Sequence, residues 1–118
     1  MMKLLQLLVA TAGMLGASLA LSCEYPERTG VPDGSTATKD EMIAGQRGVK
    51  SYMAAMEAYL ACIETAEQET VAGGNLDEDA KQQRIALFNK KYNAAVEAMN
   101  LIAEQFNAQV RAYKDRSQ

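Results

Sequence analysis

Two series of apolar residues, each repeating every seven positions, are separated by a pair of glycines and constrain the fold more than any other feature. Such a spacing places the residues of one series on one face of an α-helix. Gly73 and Gly74 favour the end of the first helix, since glycine readily adopts the left-handed conformation of a C-cap. The sequence therefore predicts an all-α fold, an antiparallel, coiled-coil-like two-helix hairpin. We expect its core seam to contain Met42, Val49, Met56, Ile63, Ile85, Tyr92, Met99 and Phe106.

The two series also align with each other across the glycines. If the chain turns back at Gly74, facing residues have numbers that sum to about 148, as expected of an antiparallel helical pair. Two unrelated series have no reason to align in this way, so the alignment supports the hairpin. The expected pairs are Met42 with Phe106, Val49 with Met99, Met56 with Tyr92 and Ile63 with Ile85.

Capping residues mark where the helices begin. Thr38 and Glu41 have the spacing of a capping box, in which each side chain accepts a hydrogen bond from the other residue's backbone amide. Asn75 can cap the second helix, and acidic residues follow it where they complement the helix dipole. We expect an arm over residues 23–37, helices over 38–71 and 77–115, and a turn over 72–76.

Residues 1–22 have the features of a secretory signal peptide. A basic residue, Lys3, precedes an apolar run, and the small residues Ala20 and Ser22 suit signal peptidase. The run is interrupted by glycines and is shorter than the roughly 20 apolar residues that cross a membrane. We expect cleavage after Ser22, which leaves one domain, residues 23–118, in the periplasm or outside the cell.

Export also determines how the two cysteines are interpreted. Cys23 and Cys62 would meet an oxidising compartment, where they are expected to form a disulfide. The arm contains both prolines and is predicted to be extended. Fifteen extended residues can reach roughly 50 Å, whereas the helix from residue 38 to Cys62 rises about 36 Å. The arm can therefore run back along the first helix.

The composition excludes several classes of function. The chain has no histidine, so it lacks the commonest general base and the commonest zinc ligand. Its net charge is −3, and no basic face is interleaved with aromatic residues as in nucleic-acid binders. Asn75, Asp77 and Asp79 alternate like calcium ligands, but the glycine and the glutamate that complete such a loop are absent. We expect no catalytic residue, metal, cofactor or nucleic-acid partner.

Part of the chain is similar to a group of small exported proteins of Gram-negative bacteria without an assigned activity. The resemblance covers about residues 23–63 and includes Cys23, Pro26, Val31-Pro32-Asp33-Gly34, Glu41-Met42, Val49-Lys50, Tyr52 and Tyr59-Leu60-x-Cys62. It implies paired cysteines and a periplasmic location, and it brings no catalytic or binding residue.

The apolar faces of the predicted helices are wider than one seam. Met53, Leu60, Leu87, Val96 and Ile102 add to the eight seam residues, and two helices can hide only one stripe each. We expect a structural or protein-interaction role, with a homodimer or another periplasmic protein completing the burial. The alternative is a binder of small apolar ligands or cargo that uses exposed Met and Tyr side chains, because methionine adapts to varied shapes.

One alternative for the processed N-terminus is a lipoprotein anchored through Cys23. Lipoprotein signals favour a Leu-like residue three positions before the cysteine, where this chain has Ala20. We therefore predict that the exported protein begins at Cys23 and carries no lipid. The intact mass of the protein recovered from cells measures this, and a diacylglycerol adduct on Cys23 would contradict it.

Overall fold

The computed structural model describes residues 23–116, which form two helices preceded by an arm without regular secondary structure. Helix α1 spans Lys39–Ala72 and helix α2 spans Glu78–Arg116. The two helices contact each other and form the predicted all-α hairpin. Residues 1–22, where we expect a signal peptide, lie outside the described residues.

A capping box begins α1 as the sequence predicts. The Thr38 hydroxyl accepts a hydrogen bond from the Glu41 amide at 3.1 Å, and the Glu41 carboxylate accepts one from the Thr38 amide at 2.9 Å. These two bonds satisfy amide groups that have no partner within the helix. The capping box therefore determines where the arm ends and α1 begins.

The turn between the helices differs in one detail from the expectation. Gly74 has a φ of 76°, in the left-handed region that glycine tolerates. It is the second residue after Ala72, where α1 ends. At the start of α2 the Asp77 carboxylate accepts a hydrogen bond from the Ala80 amide at 2.8 Å. Asp77 therefore caps α2, and the assignment of this role to Asn75 is wrong because α2 begins only at Glu78.

The register of the hairpin is shifted from the predicted one. Glu67 pairs with Arg84 at 3.1 Å, and a Cβ atom on Gly45 would lie 3.4 Å from the Phe106 ring. In both contacts the residue numbers sum to 151 rather than 148. The loop between α1 and α2 is centred on Asn75, one residue beyond Gly74, which accounts for most of this shift.

The shift changes which residues of α2 lie at the centre of the seam. Ala95 and Ile102 are fully buried, and with the observed register they lie opposite Met56 and Val49. The small side chain of Ala95 leaves room for Met56, which is also fully buried. The centre of the α2 seam is therefore three residues, nearly one turn, from the predicted series.

The eight predicted seam residues consequently differ in burial. Met42, Val49, Met56 and Ile63 are buried, whereas Tyr92, Met99 and Phe106 are half-buried and pack against the core. Ile85 is 48% exposed, so its assignment to the core is wrong. In the observed register Phe88 takes its place opposite Ile63, and both residues line the same end of the hairpin.

A disulfide joins Cys23, at the start of the arm, to Cys62 in α1. Cys23 and Val31 of the arm pack against the core, and the ring of Tyr25 meets the ring of Tyr59 edge-on at 5.1 Å between centroids. The arm thus forms a third strip of packing along one side of the hairpin.

We predict that Cys62→Ser lowers the thermal stability while the hairpin keeps most of its helicity. The disulfide joins residues 39 positions apart, and closing such a loop restricts the unfolded chain by about 3–4 kcal/mol in the entropy model. The expected decrease in Tm is about 10 °C or more for a domain of this size. Thermal unfolding followed by circular dichroism measures both quantities, and an unchanged Tm would contradict a stabilising arm.

Candidate interaction surfaces

Two glycines in α1 allow the arm to approach the helix closely. A Cβ atom on Gly45 would lie 2.6 Å from ring carbons of Pro32, and one on Gly48 would lie 2.9 Å from the Thr29 hydroxyl oxygen. Each glycine costs about 1 kcal/mol relative to alanine inside a helix. The close approach of the arm explains why both are present.

The last residues of the arm lie against the C-terminal half of α2. The Gly34 amide donates a hydrogen bond to the Gln109 side-chain oxygen at 2.8 Å. The Arg116 guanidinium donates to the carbonyl oxygens of Ser35, at 3.0 Å, and of Ala37, and it lies over the Tyr113 ring. The overhanging end of α2, which two helices alone would leave bare, is thereby covered.

The turn at Asp33 is held by hydrogen bonds to its carboxylate. The Ser35 hydroxyl donates to this carboxylate at 2.6 Å and the Ser35 amide donates at 2.9 Å, and these bonds hold the pKa of Asp33 below its usual value. A lowered pKa in the folded state stabilises the turn at pH values above the ordinary Asp pKa. This contribution is lost as the pH falls through the lowered value.

A groove of about 420 Å³ continues the line of the arm towards the turn, and we call it the tip groove. Cys23 lies at the end of the groove where the arm begins. The walls combine apolar and charged side chains from both helices, including Tyr59, Ile63, Glu67, Arg84, Phe88 and Lys91. The tip groove can therefore hold an apolar group with a polar substituent.

The ion pair between Glu67 and Arg84 crosses the tip groove with unused hydrogen-bonding capacity. Only one carboxylate oxygen of Glu67 and one terminal nitrogen of Arg84 take part. The other oxygen, Glu67 Oε1, and Arg84 Nε are shielded from water and have no hydrogen-bond partner in the described part of the chain. Unpaired buried polar atoms cost free energy, so this pair does little to stabilise the hairpin.

The side of the hairpin away from the arm carries a second apolar surface. Helical spacing puts Met53 and Leu60 of α1 on this side, next to the buried Val49 and Met56. All the side chains of this surface are only half-buried. We call it the open face, and it consists of Met53, Leu60, Tyr92, Val96 and Met99.

A third apolar surface runs along the outer side of α2. Leu87 is 54% exposed and Leu101 is 46% exposed, and both occur in one heptad series. Alanines occupy the remaining positions of the series. We call this series the leucine stripe, and it consists of Ala80, Leu87, Ala94, Leu101 and Ala108. Leu87 also borders the tip groove.

Two further properties of the described residues bear on the candidate sites. Between residues 23 and 116, no three His, Cys, Asp or Glu side chains come close enough together to hold a metal ion. Neither α1 nor α2 is apolar enough over a sufficient length to cross a membrane.

Comparisons with known proteins give no family assignment. No protein-family model, no curated protein and no solved structure matches the chain.

Sequence reasoning identified the disulfide partners and several members of these surfaces, but it missed two features. It missed the leucine stripe as a separate surface, although the heptad spacing of the leucines is visible in the sequence. It also missed the tip groove, for which the sequence has no signal because the groove depends on the register and on where the arm ends.

We predict that Gly34→Ala destabilises the arm whereas Gly30→Ala does not. A Cβ atom on Gly34 would lie 1.9 Å from the Gln109 carbonyl oxygen, while one on Gly30 would have no atom within 4 Å. Gly34→Ala should cost about 1–3 kcal/mol, as overpacking does. Chemical denaturation of both variants measures the difference, and equal stabilities would show that the arm does not pack against α2 in solution.

Proposed function

We propose that this protein is an exported helical hairpin with a structural or protein-interaction role rather than an enzymatic one. The observation that carries the proposal is the open face, because its large apolar side chains stay partly exposed after the arm has covered the other side of the hairpin. Extended apolar patches on small proteins commonly mark sites of interaction. The partner is a second copy or another protein of the periplasm.

The disulfide supports export to an oxidising compartment, since such bonds persist mainly outside the cytoplasm. It also favours a lipid-free N-terminus over the lipoprotein alternative. A lipoprotein carries its diacylglycerol on the sulfur of the first cysteine, and the disulfide uses that same atom of Cys23. The proposed location is therefore the periplasm, or the medium if the protein is secreted further.

The tip groove supports a second candidate function, the binding of a small apolar ligand or cargo. Tyr59 and Phe88 offer apolar walls, and Lys91 offers a cationic group at the edge. The unpaired atoms of Glu67 and Arg84 are shielded from water, so a ligand group that both donates and accepts hydrogen bonds, such as an amide, would satisfy them once these two side chains turn toward it. The proposed ligand is thus a small amphipathic molecule.

One experiment tests both functions. A photoreactive amino acid replaces Val96 on the open face, Ala66 in the tip groove, or Asn93, a polar exposed control, and cells are irradiated. An interaction role predicts protein adducts of discrete mass from position 96 and none from position 93. Cargo binding predicts that position 66 gains a mass of a few hundred daltons.

The outcomes separate the two candidates. Protein adducts at the same level from positions 96 and 93 would show that the open face has no specific partner. An unmodified protein at position 66, together with protein adducts at position 96, would exclude the cargo function and leave the interaction role.

A further inference from the structure

We propose that two copies of this protein associate through the leucine stripe, with α2 packing antiparallel against α2 of the second copy. This inference goes beyond the proposed interaction function, because it adds a second interaction surface besides the open face and names its occupant. The stripe lies outside the open face and runs beside the arm, since Leu87 lines the tip groove together with Cys23, and Gln105, four residues after Leu101, accepts a hydrogen bond from Arg28.

The stripe has the dimensions and composition of a helix-packing seam. From Ala80 to Ala108 it extends for about 42 Å along α2, at a rise of 1.5 Å per residue. Its residues repeat every seven positions, as one of the two series of knobs in a coiled coil does. Alanine at the middle position allows the axes of two helices to approach to about 8 Å. Leu87 and Leu101, the large members, are about half-exposed in the single chain and would become buried.

A twofold axis at Ala94 pairs the stripe with itself. In an antiparallel pair related by this axis, facing residues have numbers that sum to 188. Leu87 then faces Leu101 of the second copy, and Ala80 faces Ala108. Every residue of the stripe meets a residue of similar size, so the seam is self-complementary, as a twofold interface requires.

The charges beside the stripe favour this orientation. On one border, Lys90 lies opposite Glu97 of the second copy, and the axis generates this contact twice. Both side chains are exposed, and within residues 23–116 neither has an ion-pair partner. On the other border, Lys91 lies opposite Ala98 and therefore meets no like charge. The antiparallel dimer thus joins opposite charges that are unpaired in the single chain.

A parallel pair of α2 helices would have the opposite electrostatics. In that pair, the border of the stripe that contains Lys90 would face the border of the second copy that contains Lys91. Lys90 would then lie beside Lys91 of the second copy at two equivalent positions. Like charges at such positions destabilise a helix pair. Charge complementarity therefore selects the antiparallel arrangement and with it the pairing of Leu87 with Leu101.

The dimer also extends the tip groove. Leu87 borders this groove, so Leu101 of the second copy would lie beside its rim. A single pair of helices buries less surface than a permanent complex, and interfaces of this size are commonly transient. We expect a dissociation constant on the order of tens of micromolar.

The first test uses sedimentation equilibrium of the disulfide-bonded protein, residues 23–118, from 1 to 500 μM at low salt. The double variant Leu87→Gln, Leu101→Gln should have a dimer dissociation constant at least about 30-fold higher, because it removes four leucines from the interface. The matched control is Ile85→Gln with Val71→Gln, which replaces equally exposed residues off the stripe. The control should retain the dissociation constant of the unsubstituted protein.

The second test determines the orientation through charge reversal. Lys90→Glu and Glu97→Lys should each weaken the dimer by about tenfold, since each replaces two attractive contacts with two repulsive ones. The double variant Lys90→Glu, Glu97→Lys restores opposite charges and should recover the original dissociation constant. All these positions are exposed, so circular dichroism should show an unchanged fold.

Three results would overturn the inference. They are a protein that stays monomeric at 500 μM, a dimer unaffected by the leucine substitutions, and a charge-reversed double variant no tighter than the single ones. None of these results bears on protein adducts from position 96 of the open face. The absence of a dimer through the leucine stripe can therefore be distinguished from the absence of a protein partner at the open face.

Discussion

The packing of α1 against α2 around Met56, Ala95 and Ile102 determines where the other parts of the molecule lie. These three side chains are fully buried, and Ala95 leaves the space that Met56 fills. Because the contact sets the register, it also places Glu67 opposite Arg84 and brings Phe106 near Gly45. The path of the arm and the shape of the tip groove both follow from this alignment.

The arm makes the hairpin asymmetric, and this asymmetry relates the fold to the proposed function. Pro32 and Thr29 lie against the two glycines of α1, and the disulfide fastens the start of the arm to Cys62. One side of the seam is therefore covered, while the open face and the leucine stripe stay accessible. A two-helix protein has little core of its own, so burial of these surfaces by the proposed partner would add stability.

The sequence predicted the local features well and the relative position of the helices less well. The capping box of Thr38 and Glu41 depends on residues three positions apart, so it can be recognised from sequence. The pairing of Cys23 with Cys62 needed only two cysteines and sufficient chain length. The numbers of facing residues sum to 151 in the structure, rather than to the predicted 148. The sequence does not determine this register, because α2 has two adjacent apolar series and their spacing does not show which one faces α1. Ile85 was assigned to the core for this reason, whereas Phe88 takes its place.

The sequence by itself determined that this protein has two amphipathic helices, a turn at the glycines and an extended arm that can reach Cys62. Those properties follow from periodicity, capping chemistry and chain length, all of which act over a few neighbouring residues or along one helix. Only the tertiary structure decided which face of α2 is buried, which side of the hairpin the arm covers and where the tip groove opens. These outcomes depend on how side chains of different size, such as Ala95 and Met56, fit together across the seam, and one helix alone carries no information about that fit.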